Sequence, residues 1–318
     1  MPAECVIGVD LGGSKLLAGA VDAEFGVHHR VTRDVAGADT GTLLEDVAGA
    51  VLEVREAHGS EVAAVGFGIP CLIDSANGIA ASSVHLPIEG IAFADVMTER
   101  LGLPAFVDND ANLAMLAEHR HGAARGARHA AMLTLGTGIG GGLVIDGQLY
   151  RGSQGAAAEL GHTVVWAEGP SCGPGCPNRG CLEAVASGSA LVREALRAAD
   201  EHPDSKLGQA IASGRELSGP LVTELAHDGD EAAIEVLSGI GRWLGIGIAN
   251  LINALNPDVV VIGGGVIAAG ELLLAPARAE AQARALRLPV EHAQIVAAHF
   301  GAESGMLGAA VLAFDSIA

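Results

Sequence analysis

Two short apolar runs open the chain, residues 5–9 and 16–21, on either side of the glycine-bearing stretch Asp10-Leu-Gly-Gly-Ser-Lys15. Runs of this length around a glycine bend predict a β-hairpin. Residues 27–35 alternate between apolar and polar positions and predict a third strand. Thr42-Leu-Leu-Glu45 has the form of a capping box. Leu43, Val47, Ala50 and Val54 then recur at helical spacing, so a helix is expected to about His58. A strand over 62–67 leads into Gly68-Ile-Pro-Cys71 and, further on, an Asn77-Gly78 turn. Phe106 and Val107 close another strand at Asp108-Asn109-Asp110, and 111–121 reads as a helix.

At Ala130 the pattern starts again: an apolar strand, the bend Gly136-Thr-Gly-Ile-Gly-Gly-Gly142, the apolar Leu143-Val-Ile and an Asp146-Gly147 hairpin turn. Beside Val6-Ile-Gly-Val-Asp-Leu-Gly-Gly this is an internal repeat of strand, glycine bend and strand. Helices follow over 187–199 and 231–255, the second stopping at Asn256-Pro257. Residues 259–262 form a buried strand with Gly263-Gly-Gly265 as its exit turn, then a helix, a last strand over 294–297 and an apolar helix over 305–314. Two similar α/β halves facing each other are expected. Residues 1–117 with 304–318 would make the smaller domain and 118–303 the larger, hinged at the crossings near 117 and 303.

A chain of 318 residues, half of them hydrophobic, can bury the cores of two such domains. No uninterrupted apolar run approaches the ~18 residues of a membrane span, and the first residues lack the basic and apolar regions of a signal peptide. A cytoplasmic protein is expected. The formal charge of −20 argues against nucleic acid or an anionic membrane as partner. A bound phosphate would have to be held locally, by backbone amides and a metal.

Three of the five cysteines lie in one loop, Cys172-Gly-Pro-Gly-Cys176-Pro-Asn-Arg-Gly-Cys181, preceded by Glu159-Leu-Gly-His162. Three soft thiolates and an imidazole suit a closed, tetrahedral structural zinc site. The second ring nitrogen of a zinc-bound His162 remains free for another partner. Cys5 and Cys71 read as small buried hydrophobes. Asp10 at a strand end beside Gly12, Gly13, Ser14 and Lys15 offers free amides to a phosphate and a carboxylate to Mg²⁺, and Gly136, Thr137 and Gly138 repeat the device. Gly263, Gly264 and Gly265 serve equally to admit a nucleotide or to pack a strand against a helix. The Asp108-Asn109-Asp110 run offers a general base for phosphoryl transfer to an alcohol, and one of its residues should cap the following helix. Asn109, Glu159 and Glu183 have the donors and acceptors to hold sugar hydroxyls.

These motifs, in this order, resemble the ROK family of sugar kinases and sugar-responsive repressors, in particular its bacterial glucokinases. The resemblance runs from Asp10-Leu-Gly-Gly-Ser-Lys through Val107-Asp-Asn-Asp-Ala-Asn and Leu135-Gly-Thr-Gly-Ile-Gly-Gly-Gly to Cys176-Pro-Asn-Arg-Gly-Cys-Leu-Glu183. It implies a two-domain actin-like (ribonuclease H-like, sugar kinase/Hsp70/actin) fold with the active site in the interdomain cleft. It implies ATP-dependent phosphorylation of a hexose 6-hydroxyl, most simply of glucose, with Mg²⁺. Asp110 is then the catalytic base, Asn109, Glu159, His162 and Glu183 the sugar contacts, and His162, Cys172, Cys176 and Cys181 the zinc ligands. A homodimer or homotetramer is implied as well. Alternatives are a kinase for N-acetylmannosamine, allose, fructose or mannose, polyphosphate as donor, or a sugar-sensing regulator without chemistry. Repressors of the family place a DNA-reading domain before the first strand, whereas here the Asp10 motif follows almost directly on Met1. This chain differs from the family pattern at Ser14, where Thr is usual, in the three residues between Cys172 and Cys176, at Cys71 after Pro70, and in the stretch 82–87 that contains His85.

Overall fold

The computed structural model describes residues 5–74, 77–83, 86–173 and 175–318. The chain divides into two compact units, one formed by Met1–Gly126, Gln148–Ala158 and Ala302–Ala318, the other by Ala127–Gly147 and Glu159–Gly301. Residues 118–126, 148–158 and 302–303, placed by the sequence in the larger half, thus belong to the first unit.

In the first unit the hairpin is β1 (Cys5–Leu11) and β2 (Lys15–Asp22), with β3 (Val27–Asp34) antiparallel on its outer side. Asp10 lies in β1, opposite Leu17, so the bend itself is shorter than the sequence suggests. Helix α1 (Thr40–His58) buries Leu43, Val47, Ala50 and Val54, the stripe read from the sequence, and Val51 besides. Its start is earlier than predicted: the Asp39 carboxylate accepts the Thr42 amide at 3.0 Å and caps the helix, so the Thr42–Glu45 capping box is not used. An Asp at the right spacing satisfies the first free amides directly. The predicted strand over 62–67 is β4 (Val65–Ile69). Then come the hairpin β5 (Cys71–Asp74) and β6 (Ile79–Ser83), helix α2 (Phe93–Leu101), β7 (Ala105–Asn109) and α3 (Asp110–His121). Gly78, with φ +66°, makes the Asn77-Gly78 turn at which this hairpin reverses. His85 lies outside the described residues.

Parallel pairing of β1 with β4 and of β4 with β7 completes the order β3-β2-β1-β4-β7. The last helix of the chain (Ser304–Ile317) packs on β1, β4 and α3. Its backbone lies directly on the sheet: a Cβ added to Gly8 would collide with the Met306 carbonyl oxygen, and one added to Gly66 with that of Ala309.

In the second unit β8 (Ala130–Leu135) and β9 (Ile139–Ile145) form the repeated hairpin. The bend is only Gly136–Gly138, since Gly140, Gly141 and Gly142 lie inside β9. Asp146 and Gly147, both at positive φ, form the turn that their sequence predicts. The short strand β10 (Gln148–Leu149) begins the segment that returns to the first unit. Helices α4 (Leu182–Ala186), α5 (Gly188–Glu201), α6 (Lys206–Ala212), α7 (Gly219–His227) and α8 (Glu231–Leu255) lead to β11 (Val259–Gly263), α9 (Glu271–Arg284), α10 (Arg287–His292) and β12 (Gln294–Ala297). The final helix of the chain is therefore α11. Strands β9-β8-β11-β12 repeat the order and directions of β2-β1-β4-β7, which makes the internal repeat structural. Helix α8 has the length and apolarity to cross a membrane, yet it is the core helix of this unit, packed against α9, α5, α7 and α4. It ends at Asn256, whose left-handed backbone (φ 46°) caps it.

Candidate active site

In the first unit the chemistry gathers at the ends of β1 and β7. Asn109 caps α3: its side-chain oxygen accepts the amides of Ala111 and Asn112 at 3.0 and 3.1 Å. Its Nδ2 donates to the Cys71 carbonyl at 3.3 Å, which leaves one amide hydrogen for a ligand. Asp110 opens the helix, its Oδ1 accepting the Ala111 amide at 2.8 Å. The Asp10 carboxylate lies against Gly305 in the first turn of α11 and receives no hydrogen bond among the described residues. Burial, and then the charge of Asp110, pushes Asp10 up to about 7. Two crowded carboxylates, one of them without a donor, fit a hard cation such as Mg²⁺. The bend after Asp10 is closed by the Gly12 amide donating to the Lys15 carbonyl at 2.8 Å, and Gly13, Ser14 and Lys15 are exposed. Cys71 is buried and its thiol is pushed up to about 11, chiefly by burial, in keeping with an inert hydrophobe.

In the second unit the Gly136–Gly138 bend sits on the start of α5. The Gly136 carbonyl accepts the Gly188 amide at 2.8 Å, and the Thr137 carbonyl accepts the Ser189 hydroxyl at 2.8 Å. Ser187 caps α5, so the positive end of a 14-residue helix faces the bend. Sequence reasoning found this helix but not its docking, which depends on contacts some fifty residues apart. Glu183 accepts the Ile139 amide at 2.8 Å with one oxygen, and the Cys172 thiol lies 3.6 Å from the other. One side chain therefore joins the glycine bend to the cysteine loop.

The ligand atoms of His162, Cys172, Cys176 and Cys181 all lie within 4.8 Å of one another. Tetrahedral zinc with Zn–S near ~2.3 Å requires sulfurs about 3.8 Å apart; Cys176 and Cys181 are 3.8 Å apart. Cys172 Sγ is 3.4 Å from His162 Nδ1, so the three-residue spacing before Cys176 still brings Cys172 into the set. Nδ1 is the nitrogen turned to the cysteines. Nε2 lies 4.0 Å from the nearer Glu159 oxygen, the direction in which a further partner would bind. Burial, reinforced by the Cys181 and Cys176 sulfurs, drives the Cys172 thiol far up, and burial raises the Cys181 thiol as well; a cation bound among these side chains would take the place of those protons. Protein purified without chelators is expected to carry about one zinc per chain by elemental analysis; a metal-free preparation that is fully folded overturns the assignment.

The three glycines at the end of β11 divide. A Cβ on Gly264 would collide with the Leu135 carbonyl oxygen, so packing requires that glycine, whereas one on Gly263 would stand 2.7 Å from the Met132 methyl, the movable end of a flexible side chain. Gly265 faces open space and is the one left for a ligand. A cavity of about 1260 Å³ between α5 and α8 includes none of the candidate residues; the stacked Trp166 and Trp243 form part of its wall.

The family model described as ROK family matches residues 6–316. A glucokinase of Thermotoga maritima is 36% identical over 320 residues, covering 100% of this chain and 99% of its own length. The crystal structure of a ROK family glucokinase from Streptomyces griseus in complex with glucose and AMPPNP superposes with a TM-score of 0.88 at 36% identity, covering 98% of this chain and 99% of that one. A ROK hexokinase from Thermus thermophilus gives 0.76 at 34% identity, with 98% and 99% covered. With the repeated α/β halves and the loop of one histidine and three cysteines already in place, this agreement over the whole length settles the family: the chain belongs to the ROK family and has its actin-like fold.

Proposed function

We propose that the protein is an ATP-dependent hexokinase of the glucokinase type, transferring the γ-phosphoryl group of ATP to the 6-hydroxyl of glucose. The observation that carries the reading is the full-length match to a glucokinase solved with glucose and AMPPNP. In this reading each residue has its part. Asp110 takes the proton of the attacking hydroxyl, and the free amide hydrogen of Asn109 orients the sugar. Glu159, Glu183 and Nε2 of His162 hold other sugar hydroxyls, the last in the tautomer that a zinc ion held at Nδ1 would fix. The Gly136–Gly138 and Gly12–Ser14 bends receive the phosphates, and Gly265 lets the nucleoside approach. Asp10 would hold Mg²⁺, which neutralises phosphate charge when bound. We assign the protein to the cytoplasm, as a homodimer or homotetramer that binds neither nucleic acid nor membrane. Light scattering at assay concentration tests the assembly, and a monomer there overturns it.

ADP release with MgATP and a panel of glucose, mannose, fructose, allose, N-acetylglucosamine and N-acetylmannosamine tests the activity. The highest kcat/KM is expected on glucose. Turnover on another sugar alone would move the substrate and keep the chemistry. No ADP from any sugar, in zinc-loaded protein that binds one of them, would favour a sugar-sensing regulator; turnover with polyphosphate alone would change the donor.

A further inference from the structure

Asp108 immediately precedes the two residues given roles above, yet its carboxylate faces inward. Its side chain is 2% exposed, and with Glu118 and Asp230 it is one of three buried carboxylates among the described residues. Oδ1 accepts the Asn109 amide at 2.7 Å and Asn112 Nδ2 at 3.2 Å, and Oδ2 accepts Arg151 Nε at 2.6 Å. Both oxygens are thus engaged, one by the turn between β7 and α3 and the other by Arg151. The arginine comes from the Gln148–Ala158 segment, 43 residues away in sequence.

Stability alone does not account for this arrangement. A buried ion pair loses in desolvation much of what it gains in attraction. Asn112 keeps its Nδ2 on Asp108 although its Oδ1 is buried with no hydrogen-bond partner among the described residues, a cost that an apolar side chain would avoid. Arg151 is not wedged in place by close packing either, since it borders a cavity of about 360 Å³ shared with Asn77, Phe106 and Ser316. What locates it is the bond to Asp108. The network is costly, specific in direction and centred on the strand end that carries Asn109 and Asp110.

We infer that Arg151 is a positioning residue for phosphoryl transfer: through the buried Asp108 carboxylate it fixes the β7–α3 turn, and with it the orientation of Asn109 and Asp110. The inference rests on the reading of Asp110 as the base. Arg151 touches neither sugar nor phosphate in this role. It neutralises the buried Asp108 carboxylate, whose other oxygen orders the Asn109 amide.

The test is a set of variants assayed over pH in the zinc-loaded protein. Among the described residues, Asp10 on β1, Cys71 on β5 and the neighbouring Asp108 are ionisable groups near Asp110. Arg151→Gln is expected to lower kcat about tenfold or more. It should also move the acid limb of the pH–rate profile to higher pH, because the uncompensated Asp108 charge disfavours ionisation of Asp110. Arg151→Lys returns a cationic donor to a contact made by a single N–H, and kcat is expected within about threefold of wild type. Asp108→Asn leaves no buried charge unpaired and so keeps the variant folded if Arg151→Gln does not fold. Its single side-chain oxygen cannot serve Arg151 and the turn together, so kcat should again fall about tenfold, with no upward shift of the acid limb. Wild-type kcat and an unmoved acid limb in Arg151→Gln, or wild-type kcat in Asp108→Asn, overturn the inference. Asp110→Asn assayed alongside separates the two readings: if it is inactive while the Arg151 variants are normal, only the positioning role fails, and if it is active the base assignment fails first.

Discussion

Asp110→Asn is expected to lower turnover by about 10²–10⁴-fold, the range of a positioned general base, while leaving hexose affinity nearly intact. The substitution is close to isosteric. An amide can accept a hydrogen bond from the sugar hydroxyl but cannot take its proton. It also leaves the local fold alone, because the cap of α3 is supplied by Asn109 and not by Asp110. The Ala111 amide, which Asp110 shares with Asn109, keeps an acceptor in the variant. Steady-state kinetics with calorimetric titration of glucose would read both quantities. Turnover within a few-fold of wild type would remove Asp110 from its role, and loss of glucose binding in parallel would make it a sugar contact instead.

Asp10→Asn is expected to have two opposite effects. Turnover should fall by two orders of magnitude or more, since the carboxylate assigned to Mg²⁺ is lost. The apo protein should become more stable at neutral and alkaline pH. In the folded chain burial and Asp110 raise Asp10 from 3.8 to about 7, so between these values the folded state holds a proton that the unfolded chain has released. Stability contributed by this group is therefore full below about 4, declines as pH rises, and levels off above about 7. A difference of some three units corresponds to a cost on the order of 4 kcal/mol at pH 8, which asparagine does not incur. Melting curves of wild type and variant should nearly coincide at pH 4 and separate towards pH 8. Equal melting temperatures at both pH values, or unchanged turnover, would refute the account. The cost is of the kind expected where a site is built to receive a cation rather than to stabilise the apo fold.

Much of this site was legible because its residues lie close together in sequence. His162 and the three cysteines fall within one loop, so their spacing alone predicts the cluster that the structure shows. The glycine bends were legible from the apolar runs on either side of them, although their exact length was not, since glycines inside β9 look the same in sequence as those in the turn. The short helices α2, α4, α6, α7 and α10 escaped because a helix of fewer than three turns gives too few repeats to establish a period. The role of Gly264 depends on the carbonyl of Leu135, far away in sequence, and could not be separated beforehand from that of Gly265. Arg151 was invisible for the same reason: nothing in its neighbourhood distinguishes it from a surface arginine until Asp108 is placed beside it.

The packing of α11 has a consequence for the order in which the protein is made. Domains of a nascent chain ordinarily fold from the N-terminus onward as they leave the ribosome. Here β1 and β4 emerge early, but the helix that covers them, pressed against Gly8 and Gly66, is synthesised only after the whole of the second unit. The second unit is almost continuous in sequence and can close while synthesis is still under way. The first must wait with one face of its sheet uncovered. Its exposed interval on the ribosome is thus set by the time needed to translate the entire other unit, and this is where a chaperone would be needed.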